Sequence, residues 1–382
     1  MRVVHVISGL NQGGAEAMLE KLVQAGRRLD PDVLQSVVVL GPLGIVGERL
    51  RASGVPVQAL GMRMAPTSLP ALHRLYTSLC AANDVLVVQT WLWHADLLGG
   101  LCARAAGNPL VVWNLRNSMP GNVSLKWTST AVARLCALMS GRIPAAIVCN
   151  SSAAMKSHAA IGYRLDKCQI IPNGFDTRIV RRNETAGRTF RSSWGIADDQ
   201  LLIGLVARVD PLKDHLNFIR AASLIAGRYP AARFVLVGDG TTTDAAIADE
   251  LRTRGLTDRF TLVGHQDDVP GVMSALDVFC LSSISEGFPN VLGEAMLCET
   301  PCVATDVGDT REILGEDRWV APPASPERLA KCVSQLLDMP ASQRREVGER
   351  QRTRTEHEFS IDAIWHRYLE LYRRLAAGIP RT

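Results

Sequence analysis

Two glutamates, Glu286 and Glu294, stand on either side of a predicted helix start with seven residues between them. The apolar run 276–281 has the length of a buried strand, and apolar residues recur at helical spacing from Val291 onward. This pattern is typical of a strand, a tight loop and a helix, and Pro289 suits the first turn of that helix. Unpaired N–H groups at a helix start attract phosphate, and carboxylates accept hydrogen bonds from vicinal sugar hydroxyls.

A plainer interpretation of the two glutamates is also open. Taken alone, Glu286 is a solvated loop residue and Glu294 is an ordinary glutamate on a helix surface. The rest of the chain bears on the choice, because other polar residues follow other predicted strands. In a parallel sheet, the carboxyl ends of strands face the place where ligands bind.

Arg208 and Lys213 straddle a turn after the predicted strand 201–207. A guanidinium fork and a compact ammonium group together suit a diphosphate, because one makes paired contacts and the other acts as a point charge. The alternative is an exposed pair of cations near a helix end. Asp214 follows the lysine directly and places a negative charge beside it.

A glycine-containing loop, with Gly13 and Gly14, follows the first predicted strand and opens a helix. We expect these glycines to adopt positive φ and to allow close approach of a ligand, with Glu16 in the first helical turn. The segment does not fit the G-x-G-x-x-G fingerprint of dinucleotide binding, and no Gly-Lys-Ser/Thr follows. A nicotinamide-dependent oxidoreductase and a P-loop enzyme are therefore disfavoured.

Polar residues follow other predicted strands as well. His94 lies among tryptophans at the start of a helical pattern, where an isolated histidine is most often structural. Arg116 and Asn117 lie in a polar loop, and a contact with an anionic ligand is as reasonable for them as a plain surface position. His265 follows the predicted strand 260–263.

Strand-length apolar runs alternate with helical patterns along the whole chain, which indicates parallel sheets covered by helices. A length of 382 residues favours two domains over one. The predicted strands are 3–8, 36–40, 55–60, 85–89, 110–114 and 145–149 in the first half, and 201–207, 233–237, 260–263, 278–281, 302–305 and 319–321 in the second.

The turn-forming Pro-Asn-Gly of the segment 170–179 marks the domain boundary. The prediction is a doubly wound amino-terminal domain over residues 1–172 and a second one over residues 173–358. The segment 359–382 is predicted to hold a final helix, with aromatic residues at helical spacing.

Charge is distributed unevenly over a chain whose net charge is +4. Residues 1–172 hold 16 basic against 8 acidic residues, or +8, and residues 173–382 hold 26 against 30, or −4. The basic first half suggests an anionic partner such as a membrane surface, or else scattered surface arginines. There is no basic stripe interleaved with aromatic residues, so nucleic acid is not an expected partner.

Nine cysteines without a CxxC pair are typical of reduced residues in a cytosolic protein. No metal ion is expected, since no histidine-cysteine cluster or D-x-D motif follows a strand. The amino terminus is predicted to be a strand rather than a secretory signal, and no apolar run is long enough to span a bilayer.

Three of these segments together resemble the retaining GT-B glycosyltransferases of family four. The E-x7-E spacing of Glu286 and Glu294 is similar to that family's signature, Arg208 and Lys213 resemble its G-R-x-x-x-x-K-G motif, and G-G-A-E at Gly13 resembles its glycine loop. The resemblance covers nearly the whole chain. It implies an α/β fold of two doubly wound, Rossmann-like domains facing a central cleft, with the last helix crossing back to the first domain.

The resemblance also implies roles for residues at the matching positions. The first domain would bind the acceptor and the second the nucleotide-sugar, with Glu286 on the donor sugar and Glu294 on the ribose. The implied catalytic residues are His94, Arg208, Lys213 and Glu286. The implied donor-binding residues are Gly13, Gly14, Arg208, Lys213, His265, Glu286, Gly287, Phe288, Pro289, Asn290, Val291 and Glu294. The implied acceptor-binding residues are Glu16, Arg116 and Asn117.

The implied activity is metal-independent transfer of a sugar from a nucleotide-sugar, with UDP as the expected nucleotide, to a saccharide or lipid-linked saccharide in bacterial polysaccharide or lipopolysaccharide synthesis. The enzyme would work in the cytoplasm or on the cytoplasmic face of the inner membrane. The alternatives are a nucleotide-sugar epimerase of the same fold and a non-catalytic nucleotide-sugar-binding protein. Asp214 and Asp309 stand where the family usually has glycine, which leaves the role of each open.

Overall fold

The computed structural model describes residues 1–11, 13–62, 69–80, 86–108, 110–116 and 127–378. The chain forms two compact units. The first unit comprises Met1–Gly174 and Ile361–Thr382, and the second comprises Phe175–Ser360. The chain therefore leaves the first unit once and returns to it for the final helix.

The first unit is built on a seven-stranded parallel sheet with the order β3-β2-β1-β4-β5-β6-β7. Both faces of the sheet are covered, which explains why its strands are almost continuously apolar. In β1, for example, Val3 and Ile7 belong to one core, whereas Val4 and Val6 belong to the other. The strands are β1 (Arg2–Ile7), β2 (Leu34–Val39), β3 (Val57–Ala59), β4 (Leu86–Trp91), β5 (Val111–Leu115), β6 (Ala146–Cys149) and β7 (Cys168–Ile170).

Helices cover this sheet, and the last of them comes from the carboxyl-terminal segment. Trp365 of that helix packs on Gly26 and donates a hydrogen bond of 2.7 Å from Nε1 to Asp30 Oδ2. The aromatic residues that recur at helical spacing in this segment therefore pack against the first unit. The helices are α1 (Gly14–Leu29), α2 (Gly44–Ala52), α3 (Leu69–Cys80), α4 (Trp93–Ala105), α5 (Trp127–Met139), α6 (Ser152–Ala159) and α15 (Ile361–Ala377).

The second unit repeats the plan with a six-stranded parallel sheet of order β10-β9-β8-β11-β12-β13. Its strands are β8 (Leu202–Val206), β9 (Arg233–Val237), β10 (Phe260–Val263), β11 (Val278–Leu281), β12 (Cys302–Thr305) and β13 (Val320–Ala321). Its helices are α7 (Glu184–Ser193), α8 (His215–Arg228), α9 (Ala245–Thr253), α10 (Val269–Ala275), α11 (Asn290–Leu297), α12 (Thr310–Leu314), α13 (Pro326–Leu337) and α14 (Ala341–Phe359).

Each sheet has a place where the order of its strands reverses direction. In the first unit the chain builds outward from β1 through β2 to β3, and then restarts on the other side of β1 with β4. In the second unit it builds from β8 to β10 and restarts beside β8 with β11. Such reversal points open a crevice at the carboxyl ends of the two central strands, where doubly wound proteins bind ligands.

Candidate active site

An ion pair lies at the reversal point of the second unit. Lys213 follows β8 and Glu286 follows β11, and these two strands are neighbours in the sheet. The Lys213 Nζ atom is 2.7 Å from Glu286 Oε1, with the side chains 25% and 10% exposed. Ser283 donates a second hydrogen bond of 2.7 Å to the same oxygen. The sheet thus brings together a cation and a carboxylate that are 73 residues apart in the sequence.

The start of α11 lies against the same pair. A cavity of about 320 Å³ is lined by both charged residues and by the first residues of this helix. Pro289 caps α11 rather than occupying its first turn, so the helix begins at Asn290. Its first N–H groups therefore carry the positive end of the helix dipole at the cavity. The lining residues are Val206, Ala207, Lys213, Leu281, Glu286, Phe288, Pro289, Asn290 and Val291.

The segment around Phe288 lies between the cavity and the core of the second unit, and aromatic packing holds it in place. Phe288 is buried against Phe175 and Phe359, with ring centroids 6.2 Å and 5.6 Å away. Gly293 of α11 lies directly on Phe175, where a Cβ atom would come within 2.3 Å of the ring. The cavity wall therefore rests on the chain segments where the second unit begins and ends.

Asp214 occupies a left-handed backbone conformation, with φ 47° and ψ 57°. Aspartate tolerates this region better than most residues, and glycine adopts it freely, which explains why glycine also fits this position. The Asp214 side chain accepts a hydrogen bond of 3.1 Å from Asn217 N and so caps α8. Its charge is used at the start of that helix, and Ser282 Oγ ties the turn to β11 by donating to the Lys213 and Asp214 carbonyls.

The loop after β12 supports the turn that carries Glu286. Gly308 has φ +56°, and a Cβ atom there would lie 2.3 Å from the Gly287 carbonyl oxygen. The Asp309 N–H donates a hydrogen bond of 3.0 Å to that same oxygen. Asp309 itself is 6% exposed and precedes α12. Gly308 provides the left-handed conformation in this loop, and Asp309 holds the backbone of the Glu286 turn.

Arg208 and His265, which were predicted to bind the donor, are exposed and do not line this cavity. Arg208 is 70% exposed, and its Nη2 atom is 3.4 Å from Asp210 Oδ2. His265 lies near two carboxylates, 3.5 Å from Asp239 Oδ2 and 3.2 Å from Asp267 Oδ1. The structure therefore pairs Lys213 with Glu286, whereas Arg208 and His265 are exposed and lie near other carboxylates.

Glu294 lies on α11, one helical turn after Asn290, and is half-buried. It is not one of the residues that line the 320 Å³ cavity. The two glutamates of the predicted signature therefore occupy different surroundings, one in the loop at the cavity and one along the helix.

The glycine loop of the first unit differs from its prediction. Gly13 has φ −176°, which is extended backbone, and Gly14 is the first residue of α1. The expectation of positive φ at these glycines was wrong, because the chain enters a right-handed helix directly from extended backbone. A Cβ atom on Gly13 would lie 2.3 Å from Glu16 Oε2. The Glu16 carboxylate thus folds back over the start of its own helix, where it interacts favourably with the dipole.

His94 lies at the reversal point of the first unit, in the first turn of α4. Two residues earlier, Leu92 caps α4 with φ 70° and ψ 154°, a backbone conformation that residues other than glycine rarely adopt. Burial lowers the pKa of His94, which keeps its imidazole neutral near pH 7. It borders a cavity of about 490 Å³ with mostly apolar walls. The lining residues are Ser8, Leu40, Gly41, Pro42, Met62, Leu69, His94, Leu97, Leu98 and Val132.

Arg116 makes contacts within the first unit. Its guanidinium donates hydrogen bonds to Asn173 Oδ1 (2.9 Å) and to the Tyr368 hydroxyl, and it lies 5.2 Å from the centre of the Trp91 ring. Burial lowers its pKa. These contacts join β5, the segment that leaves the unit and the returning α15, which is an architectural role. Asn117, predicted beside it, lies outside the described residues.

Three residues that shape the two sites have no distinctive pattern in the sequence. Ser283 holds Glu286, Leu92 has strained backbone before His94, and Gly308 packs on the Glu286 turn. A serine directly after a strand and a glycine in a loop are common, so only their spatial neighbours identify them. Among the described residues, no group of three or more His, Cys, Asp and Glu side chains is placed to hold a metal ion.

None of the helices described is long and apolar enough to cross a membrane.

The two units together form the GT-B fold of glycosyltransferases. The chain superposes on Anabaena Alr3699/HepE, solved in complex with UDP, with a TM-score of 0.82, 21% identity and coverage of 98% of this chain and all of that one. It superposes on sucrose-phosphate synthase from Thermosynechococcus elongatus with a TM-score of 0.75, 18% identity and coverage of 99% and 100%. At these identities the likeness concerns the fold.

Sequence comparison gives the family. The profile described as Glycosyltransferase Family 4 matches residues 12–179, and the profile described as Glycosyl transferases group 1 matches residues 200–339. The chain belongs to this family and is a glycosyltransferase.

Two relatives illustrate its range. EpsF of Bacillus subtilis, itself a proposed glycosyltransferase, is 28% identical over 318 residues, or 80% of this chain and 79% of that protein. The UDP-Gal:alpha-D-GlcNAc-diphosphoundecaprenol alpha-1,3-galactosyltransferase of Escherichia coli is 26% identical over 272 residues, or 70% and 69%.

Proposed function

We propose that this protein transfers a hexose from a UDP-hexose to a hydroxyl group of a saccharide acceptor, with retention of the anomeric configuration. The observation that carries the proposal is the Lys213–Glu286 pair at the start of α11, at the reversal point of the second unit. It combines positive charge for a diphosphate with a carboxylate for sugar hydroxyls.

The donor is assigned to the second unit. Lys213 and the first N–H groups of α11 would face the diphosphate, and Glu286 would accept hydrogen bonds from the sugar. Glu294, further along the helix, is assigned to the ribose, as in the family that the sequence resembles. Arg208, exposed beside Asp210, has the freedom to turn toward a bound phosphate.

The acceptor is assigned to the first unit, at the cavity that His94 borders. The neutral imidazole of His94 can both donate and accept a hydrogen bond with a sugar hydroxyl. Arg116 is occupied by hydrogen bonds within the first unit, and Glu16 lies over the start of its own helix, so we place them in support of the site rather than on the acceptor.

The reaction breaks the bond between the anomeric carbon and the diphosphate oxygen, and forms a bond from that carbon to the acceptor oxygen on the same face of the sugar. The acceptor proton passes to the departing phosphate oxygen. The protein's contribution is to orient the two substrates and to stabilise the negative charge that develops on the diphosphate. Lys213 and the α11 dipole supply that stabilisation in this proposal, and no metal ion is required.

Two comparisons favour a UDP-sugar over other donors. HepE, which has the same fold, was solved with UDP and with UDP-glucose, and the E. coli relative uses UDP-Gal. The transfer of either property to this chain is part of the proposal.

The test is thermal stabilisation by UDP, GDP and ADP, each added to the wild-type protein and to Lys213→Ala and Glu294→Ala. At a concentration 100 times the dissociation constant, a ligand stabilises the folded form by about 2.7 kcal/mol. We expect UDP to raise the melting temperature of the wild type and to have little effect on either variant. Lys331→Ala, at an exposed lysine on α13, is the matched control and should respond like the wild type.

If GDP or ADP raised the melting temperature of the wild type more than UDP, that nucleotide would replace UDP as the assigned donor nucleotide. Equal responses of the wild type and both variants would contradict the assignment of the donor to the α11 cavity. Sugar transfer measured before and after treatment with EDTA should be unchanged, and a loss restored by a divalent cation would contradict the metal-independent mechanism.

A further inference from the structure

The surface formed by α4 and α5 of the first unit combines exposed leucines with arginines. Leu101 on α4 is 42% exposed, and Leu135 and Leu138 on α5 are 44% and 71% exposed. Arg104 on α4 and Arg134 on α5 are exposed on the same helices, and Arg142 is exposed just after α5. We call the surface made by these six residues the leucine-arginine face.

The two helices run side by side in the same direction. Each connects neighbouring strands of a parallel sheet, so each runs opposite to those strands. Leu98 of α4 and Val132 of α5 both line the 490 Å³ cavity, which places them at the same height along the two helices. Leu101 and Leu135 each follow by three residues, or about one turn, so these two exposed leucines also share a level.

Acidic residues are almost missing from this part of the chain. The segment 86–150 contains four arginines and one lysine but a single acid, Asp96, which is buried. The first acid after the segment along the chain is Asp166, which pairs with Arg164 at 2.9 Å close to the end of α5. The leucine-arginine face is therefore positively charged and complements an anionic surface.

We propose that the leucine-arginine face docks on an anionic lipid bilayer. The arginines would approach the lipid headgroups while the leucines enter the boundary of the acyl chains, as in helices that lie on membranes without crossing them. A soluble partner of opposite charge would not require three exposed leucines among the arginines. The inference rests on the proposed function in one respect, because it makes the acceptor a saccharide linked to a membrane lipid.

The 490 Å³ cavity agrees with such an acceptor. Its walls are mostly apolar, and two of them, Leu98 and Val132, lie one turn before the exposed leucines on the same helices. If the acceptor has an apolar segment next to the reacting saccharide, that segment would enter the cavity and shield its apolar walls from water. His94 at the border of the cavity is then placed near the saccharide end of such a molecule.

The experiment is sedimentation of the full-length protein with vesicles of phosphatidylcholine and phosphatidylglycerol in a 7:3 ratio, with pure phosphatidylcholine vesicles for comparison. We expect binding to the mixed vesicles that weakens as salt is added and is much weaker on phosphatidylcholine alone. Leu135→Glu/Leu138→Glu should weaken binding to the mixed vesicles about tenfold or more. Arg134→Gln/Arg142→Gln should weaken it about twenty- to thirtyfold, at about fivefold for each charge removed.

The matched controls are an exposed leucine and an exposed arginine of the second unit, Leu224→Glu on α8 and Arg345→Gln on α14. Both should bind vesicles like the wild type. All variants should keep the wild-type melting temperature, since the altered side chains are exposed.

Failure of the wild type to bind the mixed vesicles, or binding that survives both double substitutions, would overturn the inference. So would a dimer in solution that Leu135→Glu/Leu138→Glu converts to a monomer without vesicle binding, because the face would then join two copies of the chain. These outcomes are separate from the proposed function, because stabilisation by UDP is measured without vesicles at residues of the other unit.

Discussion

The two units reverse their strand order in the same way, yet different chemistry lies at the two reversal points. In the second unit, a charged pair, Lys213 and Glu286, meets the start of a helix. In the first unit, His94, kept neutral by burial, borders an apolar cavity. One fold therefore provides both a charged crevice and an uncharged one.

This difference follows from which residues end the central strands. Fixed positive charge at the end of β8 favours one kind of ligand group, a phosphate, across many substrates. An apolar crevice at the end of β4 instead selects by shape, and it can change with each acceptor. Our proposal accordingly assigns the nucleotide-sugar to the charged crevice and the acceptor to the apolar one.

The largest expected effect separates the two crevices by charge. Lys213→Ala should lower kcat by about 10²–10³, because it removes a fixed charge that stabilises the departing diphosphate. His94→Ala should lower kcat only about fivefold, because it removes one neutral hydrogen bond worth about 1 kcal/mol. The measurement is steady-state sugar transfer, with Lys331→Ala as the control that keeps full activity. Equal losses in both variants would mean that charge does not distinguish the crevices.

The second prediction concerns acid stability of the first unit. His5 is fully buried beneath its reversal point, with Nδ1 accepting a hydrogen bond of 3.3 Å from Trp91 Nε1 and Nε2 lying 3.1 Å from Gln35 Oε1. Because the indole can only donate, the His5 proton is on Nε2 and the ring is neutral. Burial lowers the pKa of His5 from 6.5 to about 4.

The unfolded chain therefore binds a proton between pH 6.5 and pH 4 that the folded chain does not. The contribution of His5 to the free energy of unfolding should be fully retained above pH 6.5 and should fall by about 3 kcal/mol as the pH drops to 4, from about 1.4 kcal/mol for each unit of pKa shift. Urea unfolding from pH 4 to 8 measures this. In His5→Gln the slope should flatten by that amount, whereas the exposed His357→Gln should leave it unchanged. An unchanged slope in His5→Gln would rule out His5 as the cause.

The third prediction tests how the charged crevice is held in place. Gly308→Ala should destabilise the second unit by about 2 kcal/mol, since it adds a left-handed alanine and brings Cβ onto the Gly287 carbonyl. It should also raise KM for the donor, because the Glu286 turn must move. Gly255→Ala is matched in φ, at +63°, but meets no atom within 4 Å. That variant should cost about 1 kcal/mol, with an unchanged KM.

The fold class and the family could be predicted because they depend on patterns that local sequence carries. The predicted strands 233–237, 260–263, 278–281 and 302–305 coincide with β9, β10, β11 and β12, since buried parallel strands are short apolar runs between turns. β7 was missed, because its three residues are only half-buried at the sheet edge. No helix was predicted at α14 either, because its sequence is almost entirely polar and its place depends on contacts such as Gln351 with the Cys302 backbone.

The candidate site was predictable in its residue types but not in its geometry. Arg208 and Lys213 are close in the sequence and were predicted to act as a pair. In the structure, Lys213 instead pairs with Glu286 from the neighbouring strand, and Arg208 is exposed. Adjacent strands decide such partnerships, and strand order is a long-range property. Arg116 shows the same limit, since its partner Tyr368 lies 252 residues further along the chain.

The smallest predicted effect concerns Asp214, beside the charged crevice. Asp214→Ala loses the cap of α8 and places alanine in the left-handed region, whereas Asp214→Gly loses the cap but accepts the conformation, so the glycine variant should be more stable by about 1–2 kcal/mol. Asp244 caps α9 with φ −74°, a conformation that alanine also adopts without strain. Asp244→Ala and Asp244→Gly should therefore differ in stability by only about 0.5 kcal/mol. Asp214→Asn keeps both the conformation and a capping oxygen but removes the charge. If its stabilisation by UDP equals that of the wild type, the Asp214 charge belongs to the helix start and not to the crevice, and a clear increase would show that this carboxylate weakens the positive charge of Lys213.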